Sequence, residues 1–198
     1  DRSLFFEDYF YLSSVNTELV NHFVNLAKNI SDSGAKFVLD VGSNDGILLK
    51  PLKDLNIKCV GVDASQNVGE IANANGRDTF IGFFNEELAL RIKKGKGRPD
   101  VIVASSVFTH LSNPGEFFSV CSQLLDTGGF ILIEVEFLND IIETQGFERF
   151  YFDRPHYYTV SSLQRLSVNY GFEIIEVNRI EAHGGSIQVK FMRSNEIT

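Results

Sequence analysis

Short apolar runs alternate with amphipathic stretches along almost the whole chain. Seven runs read as strands, at 36–41, 58–62, 78–81, 100–104, 130–135, 172–178 and 186–193. Helical periodicity falls between them, near 45–54, 66–75, 85–95, 114–125 and 160–170. Ahead of the first strand, Asn16 can cap a helix whose Leu19, Val20, Phe23, Leu26, Ala27 and Ile30 make one apolar face. The turn Ser31-Asp32-Ser33-Gly34 stops it. Unbroken apolar strands such as Val101-Ile102-Val103-Ala104 predict burial on both faces, hence a parallel sheet covered by helices. Only a short loop around His183-Gly184-Gly185 separates the last two runs. That loop is too short for a parallel crossover, so the final strand should run antiparallel. The expectation is an α/β fold: a seven-stranded, mostly parallel sheet with helices on both faces and an antiparallel last strand. The reading is one domain over 1–198, with an N-terminal lid segment and helix in 1–35. The core, 36–198, carries an insertion near 137–159.

Composition narrows the partners. A chain of 198 residues, 43% hydrophobic and 22% charged, is ordinary for a globular domain. Its net charge of −8 argues against nucleic acid, which needs a basic face to neutralise phosphates. Lys93-Lys94-Gly95-Lys96-Gly97-Arg98 reads as a solvated loop before a strand. No apolar run approaches a membrane span, and no signal peptide opens the chain. Cys59 and Cys121 stand far apart in apolar contexts without metal-ligand spacing. They read as free buried thiols of a cytoplasmic protein, with no metal site expected.

The candidate chemistry starts at Val38-Leu39-Asp40-Val41-Gly42-Ser43-Asn44-Asp45-Gly46, a strand running into a glycine-rich turn. Gly42 and Gly46 lack the Cβ atoms that would block a close backbone approach, and a following helix would present unpaired N–H groups. Asp63 ends the next apolar run, where a carboxylate can accept both hydroxyls of a ribose. A dinucleotide turn wants glycine at the position held by Asn44. Asp40 and Asp45 would repel a pyrophosphate but welcome a cation. S-adenosylmethionine carries a sulfonium, an ammonium and no phosphate.

On these residues the chain resembles the class I methyltransferases, whose first motif looks like Val38 to Gly46, and the order of elements is theirs. The resemblance implies a Rossmann-like core with S-adenosylmethionine as cofactor. Ligands of such sheets bind at the carboxyl ends of the strands. Candidate cofactor contacts are therefore Asp40, Gly42, Ser43, Asn44 and Gly46, then Asp63 and Ala64, Phe83 and Phe84, and Ser105 and Ser106. Phe83 or Phe84 can stack on an adenine, and both equally suit a core. Ser105 and Ser106 can bond the methionine part of the cofactor or only cap a turn.

Methyl transfer from a sulfonium is an in-line displacement, so the protein orients the acceptor and removes its proton. His110, just past the fourth strand, is a natural base near neutral pH, or else a cap for the helix from Pro114. The connection 137–159 is rich in aromatic and titratable residues, and long ordered connections are usually functional. It offers an acid or base in Asp153 and His156, an anion clamp in Arg154, and polar aromatic walls in Tyr151 and Tyr157.

Three outer segments narrow the resemblance. Glu7 to Ser14, Ser106-Val107-Phe108-Thr109-His110 and His183-Gly184-Gly185-Ser186 look like signatures of the deoxysugar C-methyltransferases, which methylate C3 of nucleotide-linked 4-keto sugars. That family uses a Tyr-x-Glu-His segment and an earlier Asn-x-x-x-His segment. Tyr151 and His110 match, whereas Asp153 stands for Glu, Arg154 for His and Ser106 for Asn. Arg154 cannot act as a base, because its pKa exceeds 12, but it can pair with a carboxylate or phosphate. Tyr9, Tyr11, Tyr157 and His183 are the implied substrate contacts, with Tyr9 or Tyr11 folding over the site. The family usually adds a cysteine-rich zinc module before this domain and a further domain after it, so neighbouring domains outside this chain are implied. The expected activity is methyl transfer to a small oxygen-rich metabolite, a nucleotide-linked keto sugar in the sharpest form, with His110 or Asp153 as base. The alternatives are an O- or N-methyltransferase for another small metabolite and a non-catalytic cofactor-binding domain.

Overall fold

The computed structural model describes residues 11–181 and 185–196. The seven expected strands are β1 (Phe37–Val41), β2 (Lys58–Asp63), β3 (Thr79–Ile81), β4 (Val101–Ser105), β5 (Phe130–Glu136), β6 (Phe172–Ile180) and β7 (Ser186–Arg193). They form one sheet in the order β3-β2-β1-β4-β5-β7-β6. Strands β1 to β5 pair in parallel, and β7 runs antiparallel to both β5 and β6. The last strand of the chain is thus inserted between the fifth and sixth, a placement that a periodic pattern does not specify.

The helices are α1 (Thr17–Asp32), α2 (Leu49–Asp54), α3 (Gln66–Ala74), α4 (Glu86–Lys96), α5 (Pro114–Leu124), α6 (Leu138–Glu143) and α7 (Val160–Val168). Strand alternation divides the apolar side chains between two layers. Leu39, Ile102, Ile131 and Ile133 face a core shared with α4, α5 and α7, in which Phe108, Phe117 and Phe118 pack edge to face. Val38, Cys59, Val101, Val103 and Leu132 face a second core closed by α1 and α2. Both faces of the central strands are therefore covered, as a parallel sheet requires.

Two local differences from the sequence reading matter for the site. The helix after β1 starts at Leu49 rather than near 45, because Asn44 (φ 49°) and Gly46 (φ 79°) adopt left-handed backbone that a right-handed helix cannot include. The connection after β5 contains α6 and a 3₁₀ turn at Phe147–Arg149, and it is stitched to the sheet by a bridge between Phe137 and Tyr158. Among the described residues no helix is long and apolar enough to cross a membrane.

Candidate active site

A cavity of about 730 Å³ opens at the carboxyl ends of β1, β2 and β4, with the inner face of α1 on one side and the β4–α5 loop on another. That volume suits a ligand of cofactor size. The first strand delivers Asp40, Gly42 and Asn44 to it, and the second delivers Asp63, Ala64 and Ser65. Gly42 stands at φ 75°, and a Cβ there would sit 2.6 Å from the Val107 side chain. Its hydrogen thus lets the β4–α5 loop close against the β1 turn. Gly46 faces the Arg77 side chain and does not line the cavity, so its bare Cα serves protein packing rather than a ligand. Ser43 is likewise buried below the turn, against Gly61.

Backbone N–H groups fix the second carboxylate. Asp63 Oδ2 accepts from Asn44 N at 2.7 Å and Oδ1 from Ser65 N at 2.9 Å. Burial raises its pKa, and those two hydrogen bonds oppose the rise. Asp40 has no such support: it is 3% exposed, and none of the ion pairs among the described residues includes it. Burial first, then the like charges of Asp63 and Glu134, push its pKa up to about 8. A carboxyl group left this way on a cavity wall is stabilised by an arriving cation. Phe83, 54% exposed, offers its ring to the same cavity, while Phe84 packs against Phe117 at 5.6 Å between ring centroids. Phe84 also lines the cavity, so both phenylalanines reach the site and Phe84 packs on the core as well. These features fit S-adenosylmethionine: a charge-demanding wall for its cationic end, an anchored carboxylate for a ribose and an exposed ring for a base.

The N-terminal segment closes one side. Asn44 Oδ1 accepts from Ser13 N at 3.0 Å, and Asn44 Nδ2 donates to the Tyr11 carbonyl at 3.0 Å. Asp45 Oδ2 accepts from both the backbone N–H and the hydroxyl of Ser14. Asp45 therefore pins this strap rather than facing a cationic ligand, and Tyr11 and Ser13 become cavity wall. Tyr9 and His183 lie outside the described residues.

Behind Ser105, which lines the cavity, is a buried cluster missed in the sequence. Strand register sets Ser105 and Gln188 on either side of Glu134. Glu134 accepts from Ser105 Oγ at 2.5 Å, from Gln188 Nε2 at 2.7 Å and from His22 Nε2 at 2.9 Å. Burial disfavours its charge, yet the hydrogen bonds and the His22 charge outweigh that and hold its pKa below the usual carboxylate range. In return, the hydrogen bond to Glu134 raises the His22 pKa, burial opposing. A charged residue inside the apolar run Phe130-Ile131-Leu132-Ile133-Glu134 was the available signal, since a buried carboxylate demands partners. Its partner in α1, 112 residues away, carried none.

On the β4–α5 side, His110 lines the cavity and does not cap α5, whose N-cap is Asn113. His110 Nδ1 faces the Asp153 carbonyl oxygen at 3.1 Å and Asp153 Oδ2 at 3.4 Å. Burial lowers the His110 pKa, with Asp153 opposing. Arg154 also lines the cavity, but its charge is already met: Nη1 lies 2.5 Å from Glu136 Oε1, and Cζ stacks 4.6 Å above the Tyr151 ring. Tyr157 is a pin for the loop, its hydroxyl accepting from Tyr151 N at 2.7 Å and donating to the Arg149 carbonyl at 3.0 Å. Asp153, Tyr151, His156 and Tyr157 are not among the cavity-lining residues. Ser105 and Ser106 are, with Ser105 committed to Glu134 and Ser106 held at φ 58°.

The fold and the site define a methyltransferase domain of the S-adenosylmethionine-dependent class. A family model described as "Methyltransferase domain" matches residues 14–177, and the chain belongs to that family. It is 26% identical over 188 residues to the C-methyltransferase NovU of Streptomyces niveus, covering 93% of this chain and 45% of NovU. It is 32% identical over 98 residues to a ubiquinone biosynthesis O-methyltransferase of Caulobacter sp. (strain K31), covering 48% of this chain and 39% of that protein. The chain spans less than half the length of these curated relatives. Its fold matches that of magnesium protoporphyrin IX methyltransferase from Synechocystis PCC 6803 with bound SAM, with a TM-score of 0.69, 14% identity and 98% of each chain covered.

Proposed function

We propose that this domain methylates a small oxygen-rich acceptor, a nucleotide-linked keto sugar methylated at carbon, with His110 as the proton acceptor. The observation that carries the reading is the orientation of His110 at the cavity wall. A carbonyl oxygen only accepts, so the Asp153 carbonyl at 3.1 Å requires the proton of neutral His110 on Nδ1. Nε2 is then the basic nitrogen, and burial keeps the ring neutral and ready to take a proton. Bound S-adenosylmethionine supplies an electrophilic methyl group. Asp40, Asp63 and Phe83 hold it, Tyr11 and Ser13 exclude water from one side, and His110 removes a proton from the acceptor. Asp153 supports the imidazolium that results, a role that replaces its reading as the base itself.

The likeness to NovU across 93% of this chain supports carbon as the acceptor atom. The second reading, methylation of a hydroxyl, draws support from Arg154, which stands in place of the sugar family's histidine and is neutralised by Glu136. It also draws on the likeness to the O-methyltransferases. Labelled S-adenosylmethionine with a panel of nucleotide keto sugars, phenols and amines separates the two. Label on a sugar carbon is expected; transfer to a phenol hydroxyl alone would replace the proposal with the second reading.

A further inference from the structure

The turn 151–154 carries the carbonyl that faces His110, and it hangs from an exposed, aromatic stretch of chain. Phe147, Phe150 and Phe152 are all solvent-exposed, and Arg154 N donates to the Tyr151 carbonyl at only 3.2 Å. Upstream of the turn, Phe150 packs edge to face on Tyr157, whose hydroxyl ties the backbone at Arg149 and Tyr151. At its far end the turn has an electrostatic tie to the sheet: Glu136, the last residue of β5, meets Arg154 at 2.5 Å, and Arg154 in turn covers the Tyr151 ring. The pair is largely desolvated, with side chains 9% and 17% exposed. Glu136 Oε2, Arg154 Nε and Arg154 Nη1 all lack a hydrogen-bond partner among the described residues, so the contact is one of charge. A buried pair so poorly served by hydrogen bonds is weak evidence for a stability role and better suited to fixing geometry.

Resting on the reading of His110 as the base, we infer that Glu136 is a positioning residue. Acting through Arg154, it holds the 151–154 turn so that the Asp153 carbonyl keeps the neutral His110 proton on Nδ1 and leaves Nε2 free toward the cavity. Without that anchor, Nδ1 loses its fixed acceptor and either nitrogen can carry the proton, which removes the base from part of the population. The groups that act on His110 are Asp153 and Arg154 from the turn and Glu136 from β5.

Long-range 15N–1H correlation of the histidine rings tests this on the full chain and needs no acceptor. In the unsubstituted protein His110 is expected as one tautomer, protonated at Nδ1. Glu136→Gln should give averaged signals from both tautomers with the rest of the spectrum unchanged. Arg154→Lys should do the same although it keeps the charge, because an ammonium cannot both reach the carboxylate and cover the ring. Charge adds a signature that a merely structural loosening would not give. Glu136→Gln should move the His110 titration midpoint down, and Arg154→Gln should move it up, since a neighbouring anion favours imidazolium and a cation disfavours it. A single Nδ1-protonated tautomer in all three variants, or an Nε2-protonated ring in the unsubstituted protein, overturns the inference. Should Glu136→Gln not fold, the two Arg154 variants carry the test. Failure of the base assignment shows separately, as full turnover in His110→Ala with the tautomer results intact.

Discussion

The two halves of the cavity are built by different means. On the β1–β2 side, most contacts have a backbone partner: Asp63 is held by the N–H groups of Asn44 and Ser65, Gly42 and Ser43 donate to the Val62 carbonyl, and the Asn44 side chain bonds the Tyr11 and Ser13 backbone. On the β4–β5 side, side chains hold side chains across long stretches of sequence, as in His22 with Glu134 and Arg154 with Glu136. Backbone-built geometry tolerates change at the surrounding side chains and suits a ligand common to a whole family. Side-chain-built geometry changes with single substitutions and suits an acceptor that differs from member to member.

If the halves are separable, His110→Ala should lower turnover by about 10²–10⁴ while leaving cofactor affinity unchanged. A parallel fall in affinity, measured by calorimetry, would join the halves into one unit. His22→Ala probes the buried cluster behind Ser105. Removing one partner of a buried pair costs about 3–5 kcal/mol, here discounted to about 3 because His22 is partly exposed. The pH dependence has a defined sign. The raised His22 pKa makes its contribution full below its ordinary value of 6.5 and lost as pH rises through the shifted one. The lowered Glu134 pKa makes its contribution full above 4.5 and lost as pH falls through the shifted one. Thermal melts of the unsubstituted protein should therefore show this term at its greatest between those pH values, and His22→Ala should flatten it. Phe83→Ala should weaken cofactor binding by about 0.5–1.5 kcal/mol. Phe84→Ala should lower the melting temperature, because its ring packs against Phe117.

The same division explains what could be read from sequence. Strand positions, the glycine turn and Asp63 depend on residues close together in the chain, so local pattern and spacing reveal them. His110 was visible because it follows a strand end. The Glu134 cluster was not, since its members come from α1, β4, β5 and β7 and meet only through strand register and the docking of α1. Arg154 was read as a clamp for a substrate anion because Glu136, 18 residues earlier, gives no sign in sequence that it turns back toward it. Helix α6 escaped notice because six residues, Leu138–Glu143, hold too few turns for a helical period.

The central claim is that the anchored Asp63 and the uncompensated Asp40 make this cavity a site for a cationic adenosine derivative. Calorimetric titration of S-adenosylmethionine into the unsubstituted chain and Asp63→Ala, in two buffers of different ionisation heat near pH 7, tests it most directly. Binding should release protons, because a cation beside Asp40 draws its pKa down from about 8. Asp63→Ala should weaken that binding by about 2–3 kcal/mol through lost charge-assisted hydrogen bonds. Equal affinity in both proteins, or no S-adenosylmethionine binding by a folded chain that instead takes up a dinucleotide, would contradict it.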